Sequence, residues 1–109
     1  MTPEQLDEQQ LRVVLERIND GTTGGSYSAE DIRPLDEAPA EDFSCYLVKY
    51  DDMMPEMPIV LFGSHEGGQW RQTLFDSGRL ADGPVVQDTD NYYGYVRMRP
   101  NYSRELAKL

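Results

Sequence analysis

Apolar residues recur at helical spacing near the start of the chain. Leu11, Val14, Leu15 and Ile18 fall on one stripe with Leu6 just ahead, and glutamate, glutamine and arginine fill most positions between them. Thr2 is a good N-cap, Pro3 suits the first helical position, Gln5 completes a capping box and Gly21 supplies a stop. The pattern predicts an amphipathic helix from about Pro3 to Asn19. Gly21 to Ser28 is then a connector, and Ser28 caps a turn over Ala29-Glu30-Asp31. That turn must end before Pro34, because proline disfavours helix in the residue ahead of it. Leu35 to Asp42 reads as loop.

From there the periodicity changes. Phe43 to Tyr50 carries aromatic and branched residues in the manner of a strand, and the prolines and charges of Asp51 to Pro58 interrupt it. Pro58 to Ser64 and Gln69 to Asp76 form a hairpin around Gly67-Gly68, since glycine tolerates the positive φ of tight turns. Placing Glu66 opposite Gln69 sets His65 against Trp70, Gly63 against Gln72, Leu61 against Leu74 and Val60 against Phe75. Both faces of this hairpin carry apolar groups, so it is either central in a covered sheet or part of an interface, a homodimer included. Ser77 to Asn91 is mostly turn chemistry, with Val85-Val86 as a short edge strand. Tyr92 to Arg99 is a further strand ended by Pro100, and Ser103 caps a last turn that carries Leu106 and Leu109.

These elements predict an α+β domain over residues 1–109, with the N-terminal amphipathic helix packed on a four-stranded, or with Val85-Val86 five-stranded, antiparallel sheet. The order resembles that of cystatin-like folds in architecture alone. With 109 residues and 12.5 kDa there is room for one core.

A lone cysteine, Cys45, allows no intramolecular disulfide, which favours a reducing compartment. The start Met1-Thr2-Pro3-Glu4-Gln5 lacks the basic and apolar runs of a signal peptide, and the apolar stretch Ile59 to Phe62 is too short to span a bilayer. A cytoplasmic, non-membrane protein is expected. The net charge of −10 disfavours direct nucleic-acid binding and favours a partner with a basic surface. That charge is uneven: residues 1–66 hold 15 acids against 4 bases, whereas residues 67–109 hold 5 acids against 6 bases.

Several motifs fall short of the chemistry they suggest. The glycines of the Gly21–Ser28 connector lack the lysine and preceding strand of a phosphate loop. His65-Glu66 is a histidine-carboxylate neighbourhood, but it sits at the hairpin tip, where an exposed turn histidine near Trp70 is the plainer explanation. Cys45 could serve a thiolate mechanism with His65, although a cysteine in an aromatic strand is more often a small buried hydrophobe. Cys45 and His65 are too few ligands for a structural zinc site. Asp88-Thr89-Asp90-Asn91 begins like a calcium loop, yet Gly94 is misplaced and no closing glutamate follows, so a polar turn is expected. Tyr93-Gly94-Tyr95-Val96, with Arg97 and Arg99, partly matches an RNA-binding strand signature, but Asn91, Tyr92 and Met98 depart from it. No cofactor is implied and no catalytic residue is assigned.

What remains is Glu30 to Glu56, where nine acids face Arg33 and Lys49. The candidate partner-binding residues are Asp36, Glu37, Glu41, Asp42, Asp51, Asp52, Met53, Met54, Glu56 and Met57. Flexible thioethers in a proline-stiffened acidic loop suit an adaptable binding surface, or else the methionines fold back as core filler. The favoured function is a non-catalytic protein-binding domain, acting as an inhibitor that offers carboxylates where phosphates would sit. In composition it is similar to small phage-encoded anti-defence proteins and to immunity proteins that neutralise basic toxins. The alternative is a small enzyme or ligand-binding domain, with a pocket between helix and sheet lined by Tyr46, Tyr50, Trp70 and Tyr95.

Overall fold

Two successive caps, not one, organise the N-terminal segment. The computed structural model describes residues 1–20 and 27–99, apart from the side chains of Phe75 and Asp76. In it Thr2 N donates to Gln5 Oε1 at 2.8 Å, but the turn these residues close is a 3₁₀ helix of three residues, Pro3–Gln5. The chain is extended at Leu6, and a second reciprocal pair then starts the α-helix. Gln10 N donates to Asp7 Oδ1 at 2.7 Å and Asp7 N to Gln10 Oε1 at 2.9 Å. Helix α1 therefore runs Glu8–Asn19, shorter than the expected Pro3 to Asn19. Leu6 and Leu11, at the two positions of a hydrophobic staple around this cap, both pack on the core that buries Val14 and Ile18. Gly21 to Ser26 and the turn expected at Ser103 lie outside the described residues.

The strands are β1 (Ile32–Arg33), β2 (Phe43–Lys49), β3 (Ile59–Glu66), β4 (Gln69–Asp76), β5 (Arg79–Val85) and β6 (Tyr92–Arg97). They form one antiparallel sheet in the order β1-β6-β2-β3-β4-β5. The α+β class holds, and the expected four or five strands become six. Ser28 starts the expected turn at Ala29–Asp31, whereas Leu35–Glu37, expected as loop, is a further 3₁₀ turn. The two-residue β1 was not foreseen. It is held by Gly94 of β6, where a Cβ would strike the Arg33 carbonyl oxygen and come within 3.2 Å of Pro3 Cγ.

Around Gly67-Gly68 the register is as expected for Glu66–Gln69, His65–Trp70 and Gly63–Gln72, and there the β3–β4 ladder ends. Leu61 and Val60 pair instead with Leu47 and Val48, while Leu74 and Phe75 pair with Ala81 and Leu80 of β5. The expected matches of Leu61 with Leu74 and Val60 with Phe75 are thus corrected. Strand β5 also corrects the turn assignment of Ser77 to Asn91. Ser77 and Gly78, with φ of 52° and 80°, make a two-residue hairpin turn between Asp76 and Arg79. Pairing with β4 then imposes extended structure on Ala81, Asp82, Gly83 and Pro84, whose own preferences are against it.

Both faces of the sheet are covered at its centre. On one, α1 packs over Tyr46, Val48, Tyr93, Val96 and Met98. On the other, Leu35, Ala38 and Phe43 close over Cys45, Leu47, Trp70, Tyr92 and Tyr95. Strand β3 is therefore covered on both faces, through Val60 and Phe62 on one and Leu61 on the other, with Trp70 of β4, whereas Leu74 farther along β4 is 47% exposed. No described helix is long and apolar enough to cross a membrane.

Candidate functional site

The acids between Asp36 and Glu56 do not form one surface. Strand β2 separates them, and seven residues in extended form span roughly 23 Å. At its first end Glu37 pairs with Arg33 at 3.4 Å, and the Glu41 carboxylate meets both Arg97 guanidinium nitrogens at 3.3 and 3.1 Å. The Arg97 hydrogen bond, reinforced by its charge, holds the Glu41 carboxyl below its ordinary pKa. Asp42 Oδ1 accepts from Gly67 N at 3.0 Å, pinning the loop to the hairpin turn. These acids serve the fold locally, and Asp36, on the 3₁₀ turn Leu35–Glu37, stands apart from them.

The other end of β2 is different. Asp51 Oδ1 accepts from Met53 N at 2.9 Å, Met57 N donates to the Met54 carbonyl at 2.9 Å, and Gln10 Nε2 holds the Pro55 carbonyl at 2.8 Å. The loop is thus shaped by its own hydrogen bonds and tied to α1. Met53 is 88% exposed and Met54 46%, beside exposed Asp52 and Glu56, while Met57 is half-buried. Core filling does not describe Met53 or Met54.

Tertiary packing adds carboxylates to this end that the sequence order did not bring together. Tyr50 N donates to the Asn91 carbonyl at 2.8 Å, which sets the 3₁₀ turn Thr89–Asn91 beside the β2–β3 loop. Asp88 and Asp90 come with it, and Gln10 brings Asp7. Lys49 pairs with Asp88 at 3.7 Å and the Met1 ammonium donates to the Asp90 carbonyl at 3.0 Å. Those two cations do not balance Asp7, Asp51, Asp52, Glu56, Asp88 and Asp90. Hydrogen bonding from Asn91, with smaller help from the Asp88 main-chain amide and the Lys49 charge, holds the Asp88 carboxyl below its usual range.

Next to this end lies a cleft of about 290 Å³. It is lined by Asp36, Asp90, Pro34, Leu35, Thr89 and the first two residues, with Trp70 and Tyr92 at its base, where both rings are buried. Sequence reasoning missed the cleft because its lining comes from four separate stretches of chain, and no local pattern marks such a meeting.

The other candidates fare less well. His65 is not exposed at the hairpin tip. It is only 5% exposed, stacks on Phe43 at 5.2 Å between centroids and lies 4.7 Å from Trp70. Cross-strand pairing with Trp70 turns it onto a covered face, away from solvent. Cys45 is fully buried among aromatics, and burial pushes its thiol up to about 12, so the nucleophilic thiolate is absent near neutral pH. The pocket expected from Tyr46, Tyr50, Trp70 and Tyr95 is divided by the sheet: Tyr46 and Tyr50 pack on the helix side, Trp70 and Tyr95 on the other. The same division buries Tyr93 and Tyr95 on opposite faces, where neither presents a ring to a base. Asp88 to Asn91 forms the expected polar turn, with Asn91 N on the Asp88 carbonyl at 2.9 Å. The described residues contain no group of three or more His, Cys, Asp or Glu able to hold a metal ion. No protein-family model, no curated protein and no solved structure matches the chain.

Proposed function

We propose that this chain is a small, non-catalytic protein-binding domain that engages a partner with a basic surface, and that the loop Asp51–Met57 is the centre of contact. One observation carries this: Met53 and Met54 are held out in solvent, in a loop fixed by its own hydrogen bonds and framed by carboxylates. Exposed thioethers supply adaptable apolar contact, and the surrounding negative charge steers a basic surface onto them. Of the acids singled out in the sequence, Asp51, Asp52 and Glu56 belong to this surface, with Asp88 and Asp90 added from the turn beside it. Glu37 and Glu41 are already matched by Arg33 and Arg97.

Proteins that handle nucleic acid present the basic faces such a surface fits. Inhibition would follow from occupying the phosphate site, as in a phage anti-defence protein or a toxin's immunity partner, and a reducing cytoplasm suits the buried thiol of Cys45.

Immobilised protein exposed to a host lysate, washed first at low and then at high salt, tests the proposal when wild type is run beside Met53→Ser/Met54→Ser and Asp51→Lys/Asp52→Lys/Glu56→Lys. A basic protein held by wild type, released as salt rises and lost from both variants is the expected result. Equal retention by wild type and both variants overturns it.

A further inference from the structure

The fold sorts the sulfur-bearing residues of this chain, one cysteine and five methionines, by exposure. Cys45 is fully buried, Met98 is buried and Met57 half-buried, whereas Met1, Met54 and above all Met53 are open to solvent. Peroxides oxidise the thioethers they can reach, so within the loop oxidation falls first on Met53 and Met54. The hydrogen bonds that shape the loop do not involve sulfur. They run from Met53 N to Asp51 Oδ1, from Met57 N to the Met54 carbonyl and from Gln10 Nε2 to the Pro55 carbonyl. Met53 and Met54 also lie outside both core clusters. A sulfoxide at either position therefore changes the surface of the loop without removing a support of the fold.

We infer that Met53 and Met54 are oxidation sites through which peroxide reversibly switches off partner binding. This rests on the loop being the centre of contact, as proposed above, and adds its regulation. In each event a thioether lone pair attacks one peroxide oxygen. The O–O bond breaks, the S–O bond forms and water leaves, so the sulfur loses two electrons and the peroxide gains them. The product is a polar sulfoxide where apolar contact had been, and a partner closing on it must strip away its water. Methionine sulfoxide reductase reverses the change: two of its thiols become a disulfide as the sulfoxide oxygen leaves as water.

The test treats immobilised protein with hydrogen peroxide, washes the peroxide away and exposes the protein to host lysate beside an untreated sample. Peptide mass spectrometry locates the sulfoxides. They should form at Met53 and Met54 well before Met57 and Met98, and retention of the basic protein should fall about tenfold or more. Reductases for both sulfoxide epimers, supplied with dithiothreitol, should restore it. Met53→Leu/Met54→Leu keeps the apolar bulk without an oxidisable sulfur, so that protein should retain the partner before and after peroxide. Undiminished retention by oxidised wild type overturns the inference, as does an equal loss in the oxidised Met53→Leu/Met54→Leu protein. A lowered urea midpoint of oxidised wild type also overturns it, by assigning the loss to unfolding. Wild type that retains no basic protein before treatment overturns the proposed function and the switch with it, whereas retention that survives oxidation overturns the switch alone.

Discussion

His65 Nδ1 lies 2.8 Å from the main-chain carbonyl oxygen of Glu41. A carbonyl oxygen only accepts, so Nδ1 carries the proton in this contact. Glu41 is thereby gripped twice, through its carbonyl by His65 and through its carboxylate by Arg97, whose guanidinium in turn lies 4.9 Å from the Phe43 ring centroid. The segment ahead of β2 is fastened over the aromatic face of the sheet, and the histidine acts as part of that fastening.

Replacing His65 with Ala should accordingly destabilise the fold by about 2–4 kcal/mol, because a buried ring and its hydrogen bond are lost together. Urea unfolding followed by Trp70 emission measures this. A loss below about 0.5 kcal/mol would show that the ring is not a structural element.

The Glu41–Arg97 pair gives acid sensitivity of a defined sign. The folded-state pKa of Glu41 is lowered, first by the Arg97 hydrogen bond and then by its charge, so the contribution is full above the ordinary value of 4.5 and fades as pH falls through the lowered value. Thermal midpoints of wild type and Glu41→Gln should differ slightly near neutral pH and converge in acid. The pair is exposed, so the difference near neutrality should also shrink with added salt.

Cys45 should resist iodoacetamide in the native state at about pH 8 and react fully once the chain is unfolded in urea. Its raised pKa has an alkaline consequence. Below its ordinary value of 9.0 the thiol is protonated in both states, and between 9.0 and about 12 the unfolded chain alone ionises, so stability falls across that window. Cys45→Ala should remove this part of the alkaline loss, read from urea midpoints across the range.

Two glycines of the β3–β4 hairpin should respond differently to alanine. At Gly63 a Cβ would sit 2.6 Å from Leu47 Cδ1 and 2.9 Å from the Arg71 carbonyl oxygen, and overpacking of that kind costs about 1–3 kcal/mol. At Gly68 nothing lies within 4 Å, but φ is +79°, so the cost is backbone strain of about 1 kcal/mol. Denaturation of Gly63→Ala and Gly68→Ala measures the ranking, and a reversed order would contradict it.

Local pattern carried the elements whose signals are contiguous. The stripe of Leu11, Val14, Leu15 and Ile18 placed α1, and Gly67-Gly68 placed the β3–β4 turn with three of its cross-strand pairs correct. The helix start was misplaced because Thr2 and Asp7 each head a valid capping pair, and composition does not rank them. Strand β5 was missed for the opposite reason: Asp82, Gly83 and Pro84 signal a turn, and only β4 alongside makes them extended.

For the candidate site the division is similar. The sequence by itself determined the chemistry: an excess of carboxylates, methionines in a proline-stiffened loop, one thiol and one imidazole. Only the tertiary structure decided which of these groups share a surface. Strand β2 carried Glu41 and Asp42 away from Asp51 and Asp52, while the turn at Thr89–Asn91 brought Asp88 and Asp90 toward the loop from far downstream in sequence. It also turned His65 and Cys45 inward, where their reactivity is spent on packing. Residue types fix what a group can do, but strand pairing and layer packing act between distant segments, and these set which solvent-facing groups a partner meets.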